Sequence, residues 1–227
     1  MNVSKFNSST QFIAATEAVI VALCNATTGV KHIALSGGKT PRPIYEALAT
    51  NAAIHFDDIE WYLVDERYVP LDHPDSNYKM IVEAFSAAQP TFSEHFHYFD
   101  TSLPLKESAN RYETELKNIP GLQFDLCVLG IGSDGHTASL FPGSSALYER
   151  ERLVVPAINE FVPHPPVHER LTLTWPMILK SKEVLLLASG QEKQAIIAEL
   201  QFSHKQFTEL PAKKLLEHHN FKIYFFS

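Results

Sequence analysis

The chain has 227 residues, which fits one sizeable domain better than two small ones, and no internal repeat, low-complexity tract or linker divides it. We therefore predict a single domain over residues 1–227. Apolar residues make up 45% of the chain, enough for a substantial core, and 20% are charged, which is ordinary for a soluble protein. The formal net charge of −7 argues against a nucleic-acid or anionic membrane surface, because both need a basic footprint.

The cysteine and hydropathy patterns bear on the compartment. Cys24 and Cys127 lie in apolar runs and are predicted to be buried thiols of a protein in a reducing compartment. The N-terminal segment lacks the basic start and apolar core of a signal peptide, and no apolar run approaches the about 20 residues that span a bilayer. We expect a cytoplasmic protein without a membrane segment.

Short apolar runs alternate with amphipathic segments along the chain. Ser9 or Thr10 is predicted to cap a first helix, and Ser76 a later one. Pro41 or Pro43 lies in the first turn of the helix between them. The first predicted helix has Phe12, Val19 and Leu23 on its inner side, and the second has Ile44, Tyr45 and Leu48 on its inner side. Further helices are predicted over 77–85, 105–117 and 191–200, with a short one from Trp175 and a last one from Pro211. The predicted strands are 32–36, 59–64, 124–129, 153–158, 171–174, 184–188 and 222–226. This alternation predicts an α/β fold with a doubly wound, mainly parallel sheet.

The predicted strand 124–129 runs directly into a loop rich in glycine and polar residues. In this loop Asp134 and His136 are two residues apart. They are suited to proton transfer at a strand's carboxyl end, where open α/β sheets bind ligands. Gly132 and Gly135 let backbone N–H groups approach a ligand. The alternative is a glycine-rich turn with a polar surface, but the density of reactive side chains favours a site.

Two nucleotide motifs are matched only in part. Residues 130–135 read G-x-G-x-x-G, but Pro142 ends any helix soon after Gly135 and no second strand ends in an acid about twenty residues later. Gly38-Lys39-Thr40 resembles the end of a P-loop, but Ile33 stands where that motif begins with glycine. Neither a dinucleotide site nor nucleotide hydrolysis is predicted, and no organic cofactor is expected.

The turn Ser36-Gly37-Gly38 leads from a predicted strand into a predicted helix. Such a turn points unpaired N–H groups and the positive end of the helix dipole at one spot, which suits a phosphate. Lys39 and Arg42 can add positive charge at this spot, and Thr40 can add a hydroxyl. The alternative is a turn with solvated cations.

Further charged residues lie at other strand ends. Asp65-Glu66-Arg67 follows the predicted strand 59–64, and it is either part of a site or a solvated ion pair. Arg170 stands just before the strand 171–174, and Lys193 just after Ser189-Gly190. Either cation could neutralise an anionic substrate or be ordinary surface charge.

A metal site and a serine nucleophile are both disfavoured. The pairs His95/His97 and His164/His168 have spacings that a metal site uses, but neither belongs to the closed tetrahedral set of a structural zinc. We expect surface histidines and no bound metal. The nucleophile elbow G-x-S-x-G is absent from the sequence.

These stretches together resemble the 6-phosphogluconolactonase family. The resemblance rests on SGGKTP at 36–41, WYLVDERYVPLDHPDSNY at 61–78, FDLCVLGIGSDGHTASLFPG at 124–143, HERLTLT at 168–174 and SGQEK at 189–193, with LPAKKL at 210–215 weaker. The stretches fall in the family's order and cover nearly the whole chain. Two departures are visible: Lys39 stands where the family often has serine, and the chain ends at KIYFFS where relatives usually continue.

The resemblance implies a Rossmann-like fold similar to glucosamine-6-phosphate deaminase and ribose-5-phosphate isomerase. It implies hydrolysis of 6-phospho-D-glucono-1,5-lactone in the oxidative pentose phosphate pathway by a cofactor-free monomer or small homo-oligomer. His136 would then activate water, and Asp134 would orient the imidazole of His136 or bind a sugar hydroxyl. N–H groups around Gly132 to Gly135 would stabilise the oxyanion. The substrate phosphate would contact Gly37, Gly38, Arg170 and Lys193, while Asp65 and Arg67 would line the sugar end.

Two alternatives share parts of the pattern. An amino-sugar-phosphate deaminase or isomerase has a similar loop, but there it looks like GHIAFNEP, whereas this chain reads GHTASLFPG. A non-catalytic sugar-phosphate sensor on the same fold usually carries a DNA-binding segment, for which this chain has neither spare length nor a basic patch.

Overall fold

The computed structural model describes residues 2–26, 29–158 and 169–227. Its strands are β1 (Asn2–Phe6), β2 (Lys31–Leu35), β3 (Ile59–Leu63), β4 (Asp65–Arg67), β5 (Phe96–His97), β6 (Leu126–Gly130), β7 (Val154–Ala157), β8 (Arg170–Leu173), β9 (Val184–Ser189) and β10 (Phe221–Phe226). Its α-helices are α1 (Ser9–Ala26), α2 (Arg42–Ala49), α3 (Asn77–Ser86), α4 (Leu105–Leu116), α5 (Trp175–Ile178) and α6 (Lys193–Phe202). Short 3₁₀ helices include Pro211–Glu217, where the sequence predicted a last helix.

Seven strands form one parallel sheet in the order β1-β10-β9-β6-β2-β3-β5. The chain runs from β2 outward to β5 on one side, then returns to β6 and runs to β10 on the other side. Because parallel crossovers are right-handed, this order sends α1, α2 and α3 to one face and α4 and α6 to the opposite face. The predicted α/β fold with a doubly wound, mainly parallel sheet is confirmed.

The central strands are buried on both faces, as strands of a covered parallel sheet must be. Every residue of β6 except its last is buried, and so is every residue of β9 except its last. This explains why their sequences are continuous apolar runs instead of alternating ones. Cys127 lies within β6 and is fully buried, as predicted, whereas Cys24 in α1 is only half-buried and burial raises its pKa to about 11.

Helix α1 covers the sheet near β10 with a narrow apolar face. It buries Phe12, Thr16 and Ile20, and it contacts β10 and α2. The hydroxyl oxygen of Ser8 caps its first turn by accepting from the N–H of Gln11 at 3.2 Å. The cap was predicted at Ser9 or Thr10, so the prediction is wrong and the cap lies just before Ser9. By length and composition alone this 18-residue helix could cross a membrane, a criterion that core helices of soluble domains also meet.

A second, antiparallel sheet was not predicted. It has three strands in the order β4-β8-β7, so the segments predicted at 153–158 and 171–174 do not join the parallel sheet. Strand β4 begins right after β3, and the N–H of Leu173 donates to the carbonyl of Val64 at 2.9 Å. The charged triplet Asp65-Glu66-Arg67 is therefore itself a strand rather than a loop after one.

The sequence also did not predict the edge strands β1 and β5. His95 and His97, expected to be surface histidines, both have a hydrogen-bond partner. Both bind Glu60: Nδ1 of His95 lies 3.3 Å from one carboxylate oxygen, and Nε2 of His97 lies 2.7 Å from the other. Within the described ranges, no group of three or more His, Cys, Asp or Glu side chains has a geometry that could hold a metal. His164 and His168 lie outside the described residues.

The pair of carboxylates around His97 gives a pH-dependent contribution to stability. Burial alone would lower the pKa of His97, but hydrogen bonds and negative charge from Glu115 and Glu60 raise it above the ordinary 6.5. The resulting stabilisation is fully present below about pH 6.5 and is lost as pH rises through the folded-state pKa. Urea unfolding should therefore show a smaller loss of stability between about pH 6 and pH 8 for His97→Gln than for wild type. An equal loss in both proteins would contradict this assignment.

Candidate active site

A large cleft lies where the chain reverses its winding direction. Strands β2 and β6 are neighbours in the sheet, yet the chain leaves them toward opposite edges. Open α/β sheets bind ligands outside the carboxyl ends of the strands at such a point. Here Ser36 follows β2, and its N–H donates to the carbonyl of Val128 in β6 at 3.1 Å. The two strand ends therefore form one floor.

The cleft has a volume of about 700 Å³ and brings together residues from five of the six stretches that carry the family resemblance, all except 210–215. Of the predicted site residues, those that line it are Ser36, Gly37, Gly38, Lys39, Thr40, Asp65, Arg67, Gly132, His136, Arg170 and Lys193. Asp134 and Gly135 are not among the lining residues. Lining residues that the sequence did not single out include Asn77, Ala138, Leu187, Glu192 and Phe226.

His136 and Asp134 form a hydrogen-bonded pair at the cleft. Nδ1 of His136 lies 2.6 Å from Oδ1 of Asp134, and the imidazole also packs against Phe141 with ring centroids 4.7 Å apart. The ring covers the backbone of Gly132, where a Cβ would overlap it. Glycine is therefore required at position 132 to make room for the His136 ring.

The pair fixes which nitrogen of His136 can accept a proton. Partial burial raises the pKa of Asp134, but the hydrogen bond and charge of His136 together with backbone donors lower it below its ordinary value. An ionised Asp134 can only accept, so Nδ1 of His136 carries the hydrogen. Nε2 then has a free lone pair, and no described residue lies within hydrogen-bonding distance of it. Asp134 therefore binds His136 and does not line the cleft.

The glycine N–H groups of this loop do not face the cleft as predicted. The N–H of Gly132 donates to the carbonyl of His136 at 2.9 Å, and that of Gly135 donates to the carbonyl of Gly132 at 3.1 Å. Gly135 has a φ of +83° and packs against Leu210, where a Cβ would overlap the leucine. These two donors close the turn, so the oxyanion role predicted for N–H groups around Gly132 to Gly135 does not fall to them.

Two arginines face each other across the antiparallel sheet. Arg67 of β4 is paired with Arg170 of β8 in the ladder. Directly opposite residues project to the same side with Cβ atoms about 5 Å apart, and like charges in such pairs are destabilising. Burial lowers the pKa of Arg170, and the charge of Arg67 lowers it further. The Nε atoms of both guanidinium groups are buried without a hydrogen-bond partner among the described residues. This arrangement is suited to an anion that both arginines share.

The loop after β2 adds neutral donors on the other side of the cleft. The hydroxyl of Ser36 is buried and has no hydrogen-bond partner within the described part of the chain. Gly38 has a φ of +119°, which turns the chain toward α2. The hydroxyls of Thr40 and Ser189 share a hydrogen bond of 2.7 Å, which joins this loop to the end of β9. Lys39 is exposed at the rim.

Lys193 lies beside the loop that carries His136. It is the first residue of α6, and its ammonium group donates to the carbonyl of Ile131 at 2.9 Å. Ile131 directly precedes Gly132, the residue covered by the His136 ring. A positive charge is therefore held beside the loop that carries His136, apart from the pair of arginines.

A buried carboxylate supports the arginine side of the cleft. Glu66 has no exposed surface and accepts from three backbone N–H groups and one hydroxyl. Its neighbour Asp65 accepts from the hydroxyl of Ser139 at 2.6 Å, which ties the small sheet to the His136 loop. Asn77 accepts from Nη1 of Arg67 at 2.8 Å. The sequence pointed to the triplet Asp65-Glu66-Arg67 without a separate role for Glu66, and it did not point to Asn77. The roles of Glu66 and Asn77 depend on contacts at the start of α3.

Comparisons with known proteins agree on one family. The model of the family described as glucosamine-6-phosphate isomerases/6-phosphogluconolactonase matches residues 7–224. A 6-phosphogluconolactonase of Synechocystis is 37% identical over 195 residues, covering 83% of this chain and 78% of the relative. A crystal structure of 6-phosphogluconolactonase from Thermotoga maritima superposes with a TM-score of 0.83 at 30% identity, covering 99% of this chain and 98% of the other.

A structure of a monomeric glucosamine-6-phosphate deaminase has a TM-score of 0.84 at 22% identity, covering 100% of this chain and 97% of the other. At that identity the likeness concerns the fold alone. The predicted similarity to the deaminase fold is confirmed, whereas the predicted similarity to ribose-5-phosphate isomerase stays a prediction.

The arginine pair predicts binding of a simple anion. Inorganic phosphate should bind in the cleft, and Arg170→Ala should weaken it about tenfold or more, because one charge-assisted pair is lost. Calorimetric titration at fixed ionic strength measures the Kd. Arg150→Ala is the matched control, since Arg150 is an exposed arginine outside the cleft and its removal should leave the Kd unchanged. Equal weakening by both variants would mean that the effect is net charge and not a site.

Proposed function

The chain belongs to the family of glucosamine-6-phosphate isomerases and 6-phosphogluconolactonases, and from that premise we propose that it hydrolyses 6-phospho-D-glucono-1,5-lactone to 6-phospho-D-gluconate. This makes it a carboxylic ester hydrolase of the oxidative pentose phosphate pathway. The observation that carries the proposal is the His136–Asp134 pair, whose free Nε2 belongs to the same cleft as two arginines with unpaired buried Nε groups.

A δ-lactone is an activated ester, so the enzyme needs only to orient water, take its proton and stabilise an oxyanion. Water adds to the carbonyl carbon while its proton passes to Nε2 of His136, which gives an oxyanion and an imidazolium. The negative Asp134 stabilises that imidazolium through Nδ1, as carboxylates do in hydrolase triads. The oxyanion then collapses, the bond from carbon to ring oxygen breaks, and the imidazolium returns the proton to that oxygen. The carboxylic acid product ionises near neutral pH.

The cations of the cleft divide into two groups. We assign the substrate phosphate to Arg67 and Arg170 together with the loop of Ser36, which moves Arg67 away from the sugar end where the sequence had suggested it. We assign Lys193 to the oxyanion, because its contact with Ile131 holds the charge beside the His136 loop. This role replaces the one predicted for the N–H groups of Gly132 and Gly135, which are used within the turn.

The proposed function also bears on the partners and the location of the protein. The partner is a small phosphosugar lactone, and the reaction requires neither a metal nor an organic cofactor. We propose a soluble, cytoplasmic enzyme that acts as a monomer or small homo-oligomer and binds neither nucleic acid nor membrane. The net charge of −7 supports this, and so does the packing of Phe12 and Ile20 of α1 into the core.

Activity is tested directly with freshly made 6-phosphogluconolactone in a pH-stat. Acid release above the spontaneous rate supports the lactonase. Ammonia from glucosamine-6-phosphate with no acid release from the lactone would instead identify a deaminase. Binding of both compounds without turnover would identify a sensor.

His136→Asn should lower kcat about 100-fold or more, because the general base is lost. The fold should survive, since the ring lies half-exposed at the cleft. The matched control is His219→Asn, an exposed histidine just before β10 at the opposite end of the sheet, for which kcat should stay at the wild-type value. Near wild-type turnover by the His136 variant would refute the assignment of the base.

Asp134→Asn tests the orienting role separately. An amide can present either its oxygen or its NH₂ to Nδ1, so the tautomer of His136 is no longer fixed and the imidazolium loses its counter-charge. We expect kcat to fall by roughly 10²- to 10⁴-fold with little change in KM, as for the equivalent change in a serine protease triad. Steady-state kinetics with the lactone measures both. A large rise in KM with unchanged kcat would instead place Asp134 on the substrate.

A further inference from the structure

Glu66 is a fully buried carboxylate that does not line the cleft. A buried charge is costly unless its acceptors are all used, and here each oxygen accepts two hydrogen bonds. One oxygen accepts from the N–H groups of Arg67 and Asn77, both at 2.7 Å. The other accepts from the N–H of Tyr78 at 2.7 Å and from the hydroxyl of Ser76 at 3.0 Å.

Three of these four donors belong to the start of α3, and the fourth is the N–H of Arg67 in β4. Asn77 and Tyr78 are the first two residues of α3, and their N–H groups have no partner inside a helix. Ser76 caps the next donor by accepting from the N–H of Lys79 at 3.1 Å, as the sequence predicted. A negative charge at this end is also favoured by the helix dipole. Glu66 therefore fixes where α3 begins relative to strand β4.

The start of α3 in turn fixes two parts of the anion site. The amide oxygen of Asn77 accepts from Nη1 of Arg67 at 2.8 Å, and its NH₂ donates to the carbonyl of Asp65 at 2.7 Å. The same side chain packs on Gly37, where a Cβ would overlap it. Asn77 thus lies between the glycine loop after β2 and the guanidinium of Arg67. The carbonyl of Asp75 also accepts from Nη1 of Arg67, at 2.6 Å. Two acceptors of Arg67 therefore lie in or directly before the turn that Glu66 holds.

We propose that Glu66 is a positioning residue for substrate binding: it anchors the first turn of α3 and thereby holds Asn77 and the Arg67 guanidinium in the orientation that receives the phosphate. This rests on the proposed function only for the identity of the substrate, since the contacts define an anion site for any phosphorylated sugar. Glu66 touches neither the phosphate nor the reacting carbon.

The test variant is Glu66→Gln. In either orientation its amide NH₂ faces at least one backbone N–H, that of Tyr78 or those of Arg67 and Asn77, and such a pair of donors cannot bond. The turn must shift, and Arg67 loses its fixed direction. We expect the Kd of inorganic phosphate and the KM of the phosphorylated lactone to rise about tenfold, with kcat and the turnover of unphosphorylated gluconolactone near wild type. Glu66→Asp retains a carboxylate on a shorter side chain and should restore part of the affinity.

Glu113→Gln is the matched control for a merely structural role. Glu113 in α4 is also buried, and it accepts from Nε of Arg152 and from the N–H of Leu153 at 3.1 Å, away from the cleft. Both glutamine variants should lower the unfolding midpoint, but only the one at position 66 should change phosphate affinity. Asn77→Ala should raise the Kd as well, and the double variant with Glu66→Gln should be no worse than the stronger single, because both act through Arg67.

The outcomes separate cleanly. Wild-type Kd and KM in Glu66→Gln, or equal changes in Glu113→Gln, would overturn the positioning role and leave Glu66 a stability residue. If Glu66→Gln does not fold, Glu66→Asp and Asn77→Ala decide: unchanged phosphate binding in both would overturn it equally. Wild-type protein that binds phosphate but does not hydrolyse the lactone would refute the proposed function while leaving this test intact.

Discussion

The organisation of the site depends on one reversal of winding direction in the parallel sheet. Strands β2 and β6 lie side by side, and the chain leaves them toward opposite edges, so no connecting helix can cover the gap between their carboxyl ends. The bond from Ser36 to Val128 keeps the two ends in register. Every group with a chemical role reaches this gap from a strand end or a helix start. Buried apolar strands such as β6 and β9 thereby end at a polar cleft.

The small antiparallel sheet solves a different problem, which is how to hold two positive charges close together in a protein of net charge −7. Three carboxylates, Asp65, Glu66 and Asp75, raise the pKa of Arg170 against the effects of burial and of Arg67. Asp65 also accepts from the hydroxyl of Ser139, in the loop that carries His136. The charges are therefore balanced locally by groups that belong to the scaffold. The guanidinium Nε atoms are left for a ligand.

Much of the fold was predictable because the interactions that form its helices and strands join residues close together in sequence. The buried strands are continuous apolar runs, and Ser76 caps α3 with its own side chain. Since parallel strands end on one edge, the polar residues after them were expected to meet, and most do. The pairing of β4 with β8 joins segments far apart in sequence, and β1 is held by its partner β10 instead of by its own pattern. The direction of each N–H in the glycine turn depends on individual dihedral angles, so the role given to Gly132 and Gly135 could not have been tested from composition.

The Arg67–Arg170 pairing has a consequence for how this family can tolerate insertions and deletions. Side chains of a strand alternate between two faces, so a shift of β8 by a single residue would send Arg170 to the opposite side and bring Leu171, which is fully buried, toward the cleft. An insertion or deletion before β8 preserves the arginine pair only if β8 still pairs with β4 in the same register. We expect evolution to vary the connection before β8 freely in length while the frame of its four residues stays fixed. A residue inserted or deleted inside β8 would break the pairing of Arg170 with Arg67.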